Sequence, residues 1–386
     1  MGDLLVACVN GQAAPIASLL ERVDLTRLAD AAVYHGAESA VYRALKSSPI
    51  PTALKHDLRL LNTAAIAGHL RALSDLRWLT TELESLGVEW AVLKGPVLAE
   101  AIYTTGSQRT YGDLDVLLDP AVFGDVVRSL EQAGARLVDV NWPMMIDGHR
   151  GELSMLLPHG TPLDLHWHVF LDPAVRREFP VSTSRLLGRR RKVDIDGVSI
   201  PTLDRADTLV HLCAHAALSG AHRLVWLKDI EQAVRNEPPN WATVAERTRQ
   251  ADLDAPVAIA LARSVGVIGT PVPSAVFRSL RTGRTWVRGV RALDAVRPPH
   301  HGQPGLFSGR LLVRSTRATT VRSTASLMRA LDAFVRKDLL ANPTHPWRTR
   351  RVAPTMRSDS NPLHQPNGST RDRAIYFDFV ASASDR

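Results

Sequence analysis

The chain has 386 residues, of which 45% are hydrophobic and 22% are charged, a balance typical of a soluble globular protein with room for two domains. Its two cysteines, Cys8 and Cys213, exclude a disulfide scaffold and favour a reducing compartment, so we expect a cytoplasmic protein. The N-terminus lacks the pattern of a secretory signal, and no apolar run approaches the about 18 residues of a membrane span.

The net charge of +8 is unevenly distributed along the chain. Between Pro271 and Arg357 there are 17 Lys and Arg against three acids, whereas the rest of the chain carries 30 basic and 36 acidic residues. This basic third suggests a surface for polyanions such as nucleic acid. An arginine-rich composition with solvated helix faces explains the same charge, because aromatic residues are not regularly interleaved there.

Hydrophobic spacing divides the chain into five predicted segments. Helices are expected over 15–21, 25–45 and 51–86, and helical structure returns after the central strands. We expect the segments to be an N-terminal helical region over 1–86, a central core over 87–200, a helical domain over 201–270, a basic helical region over 271–341, and a disordered tail over 342–386.

Individual helices and strands are also predicted within these segments. The third N-terminal helix is predicted to bury Leu58, Leu61, Ala65, Leu70, Leu73, Leu76 and Leu83. In the core we expect strand 88–93, helix 96–103, strand 113–118, helix 120–133, strands near 136–140, 152–157 and 162–169, and a hairpin turning at Asp196-Gly197. The basic region predicts helices over 305–318 and 321–340, and residues 374–380 form an apolar island in the tail that could dock onto the fold.

Three carboxylates carry the most informative pattern. Asp113 and Asp115 begin an apolar run, and alternate residues of a strand project to one face. Asp164 lies in a later run of the same kind and can complete the cluster from a neighbouring strand. Like charges this close raise each other's pKa, and a divalent cation removes that cost. Magnesium favours carboxylates together with substrate phosphates, which indicates metal-assisted phosphoryl or nucleotidyl transfer.

Two cations accompany the carboxylates. Lys94 and Gly95 follow a buried strand, where Gly95 permits a tight turn and Pro96 favours a helix start, a junction suited to bind phosphate. Arg109 precedes Asp113 by four residues and can neutralise charge on the transferring phosphoryl oxygens. A solvated lysine and an arginine that pairs with Asp113 are the structural alternatives.

In this order of motifs, the chain resembles the nucleotidyltransferase superfamily that includes DNA polymerase β, and more closely an uncharacterised bacterial branch of it. Gly95-Pro96 departs from the superfamily's usual Gly-Ser or Gly-Gly. The residues that carry the resemblance, over roughly residues 10–260, are Leu93-Lys94-Gly95, Tyr103, Arg109, Asp113, Asp115, Asp164 to Trp167, His211 to His215 and Trp226 to Ile230.

The resemblance implies an α/β (α+β) fold, with a polymerase β-like core and mixed sheet flanked by helical N- and C-terminal regions. It implies transfer of a nucleoside monophosphate from an NTP to an unknown small-molecule, peptide or protein acceptor, with release of pyrophosphate. Asp113, Asp115 and Asp164 would hold two Mg²⁺ ions, and Lys94, Gly95 and Arg109 would contact the nucleotide. No motif chooses among ATP, CTP, GTP and UTP. The oligomeric state is also left open.

Two other functions remain open: a nucleotide-binding regulator without turnover, and a polyanion- or nucleic-acid-binding protein that uses the basic third. Structural roles also compete for individual residues. His166 shares a strand face with Asp164, so it can support a metal site or simply pack. His211 and His215 have helical spacing for zinc, but packing is favoured because no glutamate accompanies them. The run Arg189 to Lys192 is interpreted as a solvated face.

Overall fold

The computed structural model describes residues 1–104, 109–301, 310–334 and 361–385. These divide into two compact units, each built from separate stretches of chain. The first unit takes the described residues of Met1–Leu61 and Leu209–Thr355, and the second takes those of Asn62–Thr208 and Met356–Arg386. The units therefore cut the chain at positions other than the predicted segment boundaries.

Helices make up most of the described chain. In chain order they are α1 (Gly2–Val9), α2 (Ala13–Leu20), α3 (Leu28–His35), α4 (Glu38–Leu45), α5 (Thr52–Ser85), α6 (Phe123–Gln132), α7 (Trp142–Gly148), α8 (Pro173–Glu178), α9 (Thr183–Gly188), α10 (Arg205–Leu218), α11 (Leu224–Asn236), α12 (Trp241–Gln250), α13 (Asp254–Ile268), α14 (Ser274–Ser279), α15 (Arg284–Val296), α16 (Arg310–Arg314), α17 (Thr320–Phe334) and α18 (Thr370–Ala381). Short 3-10 turns lie at Leu25–Arg27, Pro120–Val122, Pro299–His301, Pro362–His364 and Ser382–Asp385.

The first unit is helical throughout its described part, and the outcome for its predicted helices is mixed. The expected helix over 25–45 is interrupted at Gly36, which takes a left-handed φ of +63° and ends α3. The helices expected over 305–318 and 321–340 correspond to α16 and α17, and their parts over 305–309 and 335–340 lie outside the described residues.

One seven-stranded sheet forms the centre of the second unit. Its strands are β1 (Trp90–Val92), β2 (Leu114–Leu118), β3 (Arg136–Leu137), β4 (Glu152–Leu156), β5 (Pro162–His166), β6 (Arg191–Ile195) and β7 (Val198–Thr202), and their spatial order is β3-β4-β5-β2-β1-β7-β6. β2 runs parallel to β5, and β1 runs parallel to β7. The remaining neighbours are antiparallel. This mixed sheet with its helices confirms the expected α/β class.

The β6–β7 hairpin turns where the sequence predicted. Asp196 and Gly197 take φ values of +50° and +77°, as a two-residue turn with both central residues left-handed requires. Ile195 pairs with Val198 directly across this turn. The predicted helix over 96–103 is helical over 96–102, with its last five residues, Leu98–Ile102, in a π-helical turn.

The two faces of the sheet differ because side chains alternate along each strand. One face is covered by the main hydrophobic core, to which β2 contributes Leu114, Val116 and Leu118. The opposite face holds a smaller apolar cluster around Leu93, Leu117 and Leu203. Asp115 falls on that second face between apolar neighbours, so the strand pattern itself places a carboxylate there.

The long helix α5 contributes to the main core through Ala72, Leu76, Leu79 and Leu83. Of its predicted buried face, Leu58, Leu76 and Leu83 are buried, but Leu70 is 59% exposed, so its predicted burial is wrong. The apolar spacing of α5 extends through Leu70, but the main core does not cover the helix at that position.

A buried carboxylate on α5 fixes the turn between β4 and β5. Asp75 accepts hydrogen bonds from the backbone N–H groups of His159 and Thr161, each at 2.9 Å. Burial alone would raise the pKa of Asp75, but these hydrogen bonds hold it below its ordinary value. The bonds favour the charged form and tie the turn to the helix.

The tail contradicts the predicted disorder wherever it is described. Residues 342–360 lie outside the described residues, but α18 is ordered and begins with a reciprocal capping box between Ser369 and Asp372. It buries Tyr376, Phe377 and Val380 in the main core, as the apolar island suggested. The prediction of disorder was wrong because it relied on the average composition of the whole tail. The three apolar side chains of α18 are enough to pack this helix against the main core.

No helix in the described part of the chain is both long and apolar enough to cross a membrane.

Candidate active site

The polar residues of the second face converge through strand register. Asp115 on β2 is the direct partner of Asp164 on the parallel strand β5. On the next strand, Ser154 lies opposite Asp164 and Glu152 lies opposite His166. Because residues in register share a face, three adjacent strands present these groups together.

Asp115 is the centre of this group. Its Oδ1 atom lies 3.1 Å from Lys94 Nζ and 3.3 Å from His166 Nε2, and its side chain is buried. Burial alone would raise the pKa of Asp115, but Lys94 and His166 together hold it well below its ordinary value. Asp115 is therefore a fixed negative charge at neutral pH.

Asp113 and Asp164 carry the opposite perturbation. Burial and the charges of Asp115 and Asp164 raise the pKa of Asp113 to about 6. Burial also raises the pKa of Asp164, and Asp115 adds to this effect. Repulsion among these carboxylates thus adds to the effect of burial, and an added cation would relieve it.

Asp164 and His166 are each held by a neighbouring strand. Ser154 Oγ donates a 2.7 Å hydrogen bond to Asp164 Oδ1, and the Ser154 N–H donates to buried Asp139. His166 lies between two carboxylates, with its Nδ1 atom 3.5 Å from Glu152 Oε2. Burial alone would lower the pKa of His166, but Asp115 and Glu152 raise it. His166 therefore orients Asp115 through the contact of its Nε2 atom with Asp115 Oδ1.

Glu152 on β4 is a buried carboxyl group with a strongly raised pKa. Burial raises its pKa to about 7, although the charges of His166 and Arg150 act against the increase. Arg150 donates a 2.8 Å hydrogen bond to Glu152 Oε1. Neither Glu152 nor Ser154 was among the predicted site residues. Alternation of polar and apolar residues on β4 places both on one face, but their proximity to His166 and Asp164 depends on strand register.

The Lys94–Gly95 turn lies beside the carboxylates. The amide of Leu93 donates to the Asp115 carbonyl at 2.9 Å, which fixes the end of β1 against β2. Gly95 takes a φ of +63°, and a Cβ atom there would lie 3.2 Å from the Asp113 carbonyl oxygen. Glycine is therefore required by both conformation and space. Lys94 brings a full positive charge to this turn through its ion pair with Asp115.

Arg109 is buried and reaches the same turn. Its Nη1 atom donates a 3.3 Å hydrogen bond to the Gly95 carbonyl, and its guanidinium carbon lies 5.6 Å from the centre of the Tyr111 ring. Its charge opposes the net increase in the pKa of both Lys94 and Asp113. The structure thus gathers all six predicted site residues, Lys94, Gly95, Arg109, Asp113, Asp115 and Asp164, in the second unit.

The donor set fits a magnesium ion in its chemistry. Carboxylate oxygens are the ligands that Mg²⁺ prefers. Burial is the main cause of the raised pKa values of Asp113 and Asp164, and repulsion between the carboxylates, which a cation would relieve, adds to it. Among the described residues, the oxygen atoms of these three carboxylates do not all lie within 4.8 Å of one another, whereas the ligand atoms of one other, compact group do. In this arrangement Lys94 balances Asp115.

That compact group consists of Asp3, His300 and His301 in the first unit. The Nε2 atoms of both histidines lie 3.0 and 3.1 Å from Asp3 Oδ1. Within the described residues, the buried Nδ1 atom of His300 has no hydrogen-bond partner. A metal-ligating imidazole normally donates from its second nitrogen, so we interpret the group as a clamp between α1 and the 299–301 turn.

The other residues singled out from the sequence have structural surroundings. His168 Nε2 lies 3.0 Å from the Val181 carbonyl oxygen. His211 and His215 belong to the first unit, with ring centres 6.2 Å apart. In the basic run, Arg189 pairs with Asp207 at 2.9 Å and Arg190 with Glu89 at 2.7 Å. Two arginines of this run are therefore engaged by acids of the protein itself.

The mixed sheet presents carboxylates on neighbouring strands, with a Lys-Gly turn beside them, as the resemblance to nucleotidyltransferases led us to expect. A family model described as "Uncharacterised nucleotidyltransferase" matches residues 21–265. The chain belongs to this family and is an enzyme of nucleotidyl transfer, with an NTP as its substrate. No curated protein matches the chain.

Proposed function

We propose that this protein transfers a nucleoside monophosphate from an NTP to an acceptor hydroxyl or phosphate, with Mg²⁺ as cofactor and pyrophosphate as the second product. The observation that carries the proposal is the convergence of Asp113, Asp115 and Asp164 on one sheet face, beside Lys94 and Arg109. Buried carboxylates next to buried cations suit a substrate that brings both metal and phosphate.

Each residue has a distinct role in this proposal. Asp113 and Asp115 would hold the metal ions with the triphosphate, and Asp164 would hold the ion on the acceptor side. Bound Mg²⁺ supplies Lewis acidity and lowers the pKa of the acceptor hydroxyl. Lys94 binds phosphate oxygens from the turn, while Arg109 stabilises charge on the α-phosphate. The His166 imidazole fixes Asp115, and Ser154 fixes Asp164, so that the carboxylates remain oriented.

Binding of each NTP, with and without Mg²⁺, tests this assignment. Wild-type protein should bind at least one NTP only with Mg²⁺, and the Asp113→Ala/Asp115→Ala variant should lose this binding. Asp125→Ala on the exposed surface of α6 is the matched control and should bind as wild type does. Binding that survives in the double variant and weakens steeply with salt would contradict the proposal and favour a polyanion surface instead.

A further inference from the structure

A second polar chain lies beside the site and takes no part in the proposed chemistry. His69 on α5 has its Nδ1 atom 2.7 Å from the Tyr111 hydroxyl and its Nε2 atom 2.9 Å from Glu100 Oε1. Glu100 belongs to the π-helical turn after Gly95, and Tyr111 lies in the segment before β2. The His69 imidazole thus links three separate elements of the second unit.

The direction of these hydrogen bonds follows from the donors available. An ionised carboxylate only accepts hydrogen bonds, so His69 Nε2 must carry a proton toward Glu100. In the neutral imidazole, Nδ1 then accepts the hydrogen bond that the Tyr111 hydroxyl donates. Glu100 therefore selects the tautomer of His69 that anchors Tyr111.

Tyr111 passes this constraint to the candidate site by two contacts. Its ring lies under the Arg109 guanidinium at 5.6 Å, a distance at which a cation and an aromatic face attract. The same ring also borders the Lys94–Gly95 turn, since a Cβ atom on Gly95 would lie 3.8 Å from Tyr111 Cδ2. Arg109 closes the chain by its hydrogen bond to the Gly95 carbonyl.

We propose that Glu100, His69 and Tyr111 form a positioning chain, which holds Arg109 and the Lys94–Gly95 turn in the geometry that the triphosphate requires. This inference rests on the proposed function. Packing alone would need only the aromatic ring of Tyr111, which borders the main core. The hydroxyl, the imidazole and the carboxylate fix the orientation of that ring and hence the position of Arg109.

The test compares Tyr111→Phe, His69→Gln and Glu100→Gln with wild type, using kcat and KM for the NTP with Mg²⁺ and the melting temperature of each protein. Tyr111→Phe keeps the ring and removes only the hydrogen bond. We expect kcat to fall by about tenfold in each variant, since misplaced charge near a reacting phosphate costs rate. KM and the melting temperature should change little.

A double variant and a control complete the design. Tyr111→Phe/His69→Gln should be no slower than the slower single variant, because both changes break the same chain. Glu84→Gln, which alters an exposed glutamate of α5, should match wild type in every measurement.

Three outcomes separate the two proposals. If wild type transfers nucleotide and Tyr111→Phe has the same kcat, the positioning chain is wrong while the proposed function stands. If the rates fall only in proportion to lost folded protein, the three residues are merely structural and the inference is again overturned. If wild type neither binds nor transfers any NTP, the proposed function fails, and the positioning inference fails with it.

Discussion

Asparagine at position 113 is expected to abolish nucleotidyl transfer and, at the same time, to stabilise the folded protein. The substitution removes a proposed charged metal ligand, which should lower the rate at least about 1,000-fold, equivalent to about 4 kcal/mol of transition-state stabilisation. It also removes the repulsion that Asp113 experiences from Asp115 and Asp164. Lost activity together with increased stability is expected wherever a functional site is arranged at the expense of folding stability.

The stability gain should depend on pH in a defined direction. The pKa of Asp113 is about 6 in the folded protein, above the about 3.9 of an unfolded chain. The wild-type protein therefore loses stability as pH rises through this interval, by at most about 3 kcal/mol from this group. Urea unfolding of metal-free protein should show Asp113→Asn more stable than wild type at pH 8, with the difference vanishing near pH 4.

Asp125→Asn is the control, because its carboxylate is 77% exposed on α6 of the same unit. It should leave the rate unchanged and shift stability by less than about 0.5 kcal/mol at either pH. An Asp113→Asn protein that keeps wild-type activity, or that is less stable than wild type at pH 8, would contradict this account of the site.

Alanine at position 376 is expected to destabilise the second unit by about 3–5 kcal/mol. The Tyr376 side chain is fully buried and packs beside the Trp142 ring, with ring centres 6.1 Å apart. Its hydroxyl donates to the carbonyl oxygens of Arg150 at 3.2 Å and Glu152 at 3.5 Å. The same change therefore loosens the strand that carries Glu152 and Ser154.

Neighbouring variants make this prediction specific. Tyr376→Phe should cost only about 1 kcal/mol, the value of its hydrogen bonds, and Ile375→Ala should cost little because Ile375 is 42% exposed. Thermal or urea unfolding measures all three. Equal destabilisation by Tyr376→Ala and Ile375→Ala would show that α18 does not belong to the core of this unit.

The tail also explains why a family match does not delimit the folded unit. The matched stretch ends at residue 265, yet α18 fills the core of the unit that carries the carboxylates. Leu363 adds backbone hydrogen bonds to Val140 and Asn141 at 2.9 and 3.0 Å. A protein shortened to the matched residues should therefore expose this part of the core.

Local pattern was sufficient to predict the elements that carry the carboxylates. The i, i+2 spacing of Asp113 and Asp115 at the start of one apolar run, and the similar run around Asp164, identified the three carboxylates, because each signal is local in the sequence. Glu152 was missed because its proximity to His166 depends on the register of β4 against β5. The contact of His69 with Tyr111 joins residues 42 positions apart, and no local pattern predicts it.

In the proposed reaction, the bond that breaks lies between the α- and β-phosphates of the NTP. Incubating the protein and Mg²⁺ with cell extract and NTPs labelled at either the α- or the γ-phosphate tests it directly. We predict that α-label appears on an acceptor while γ-label is released as pyrophosphate, and that Asp113→Asn does neither. Transfer of γ-label to an acceptor, or no transfer from any NTP, would contradict the assignment.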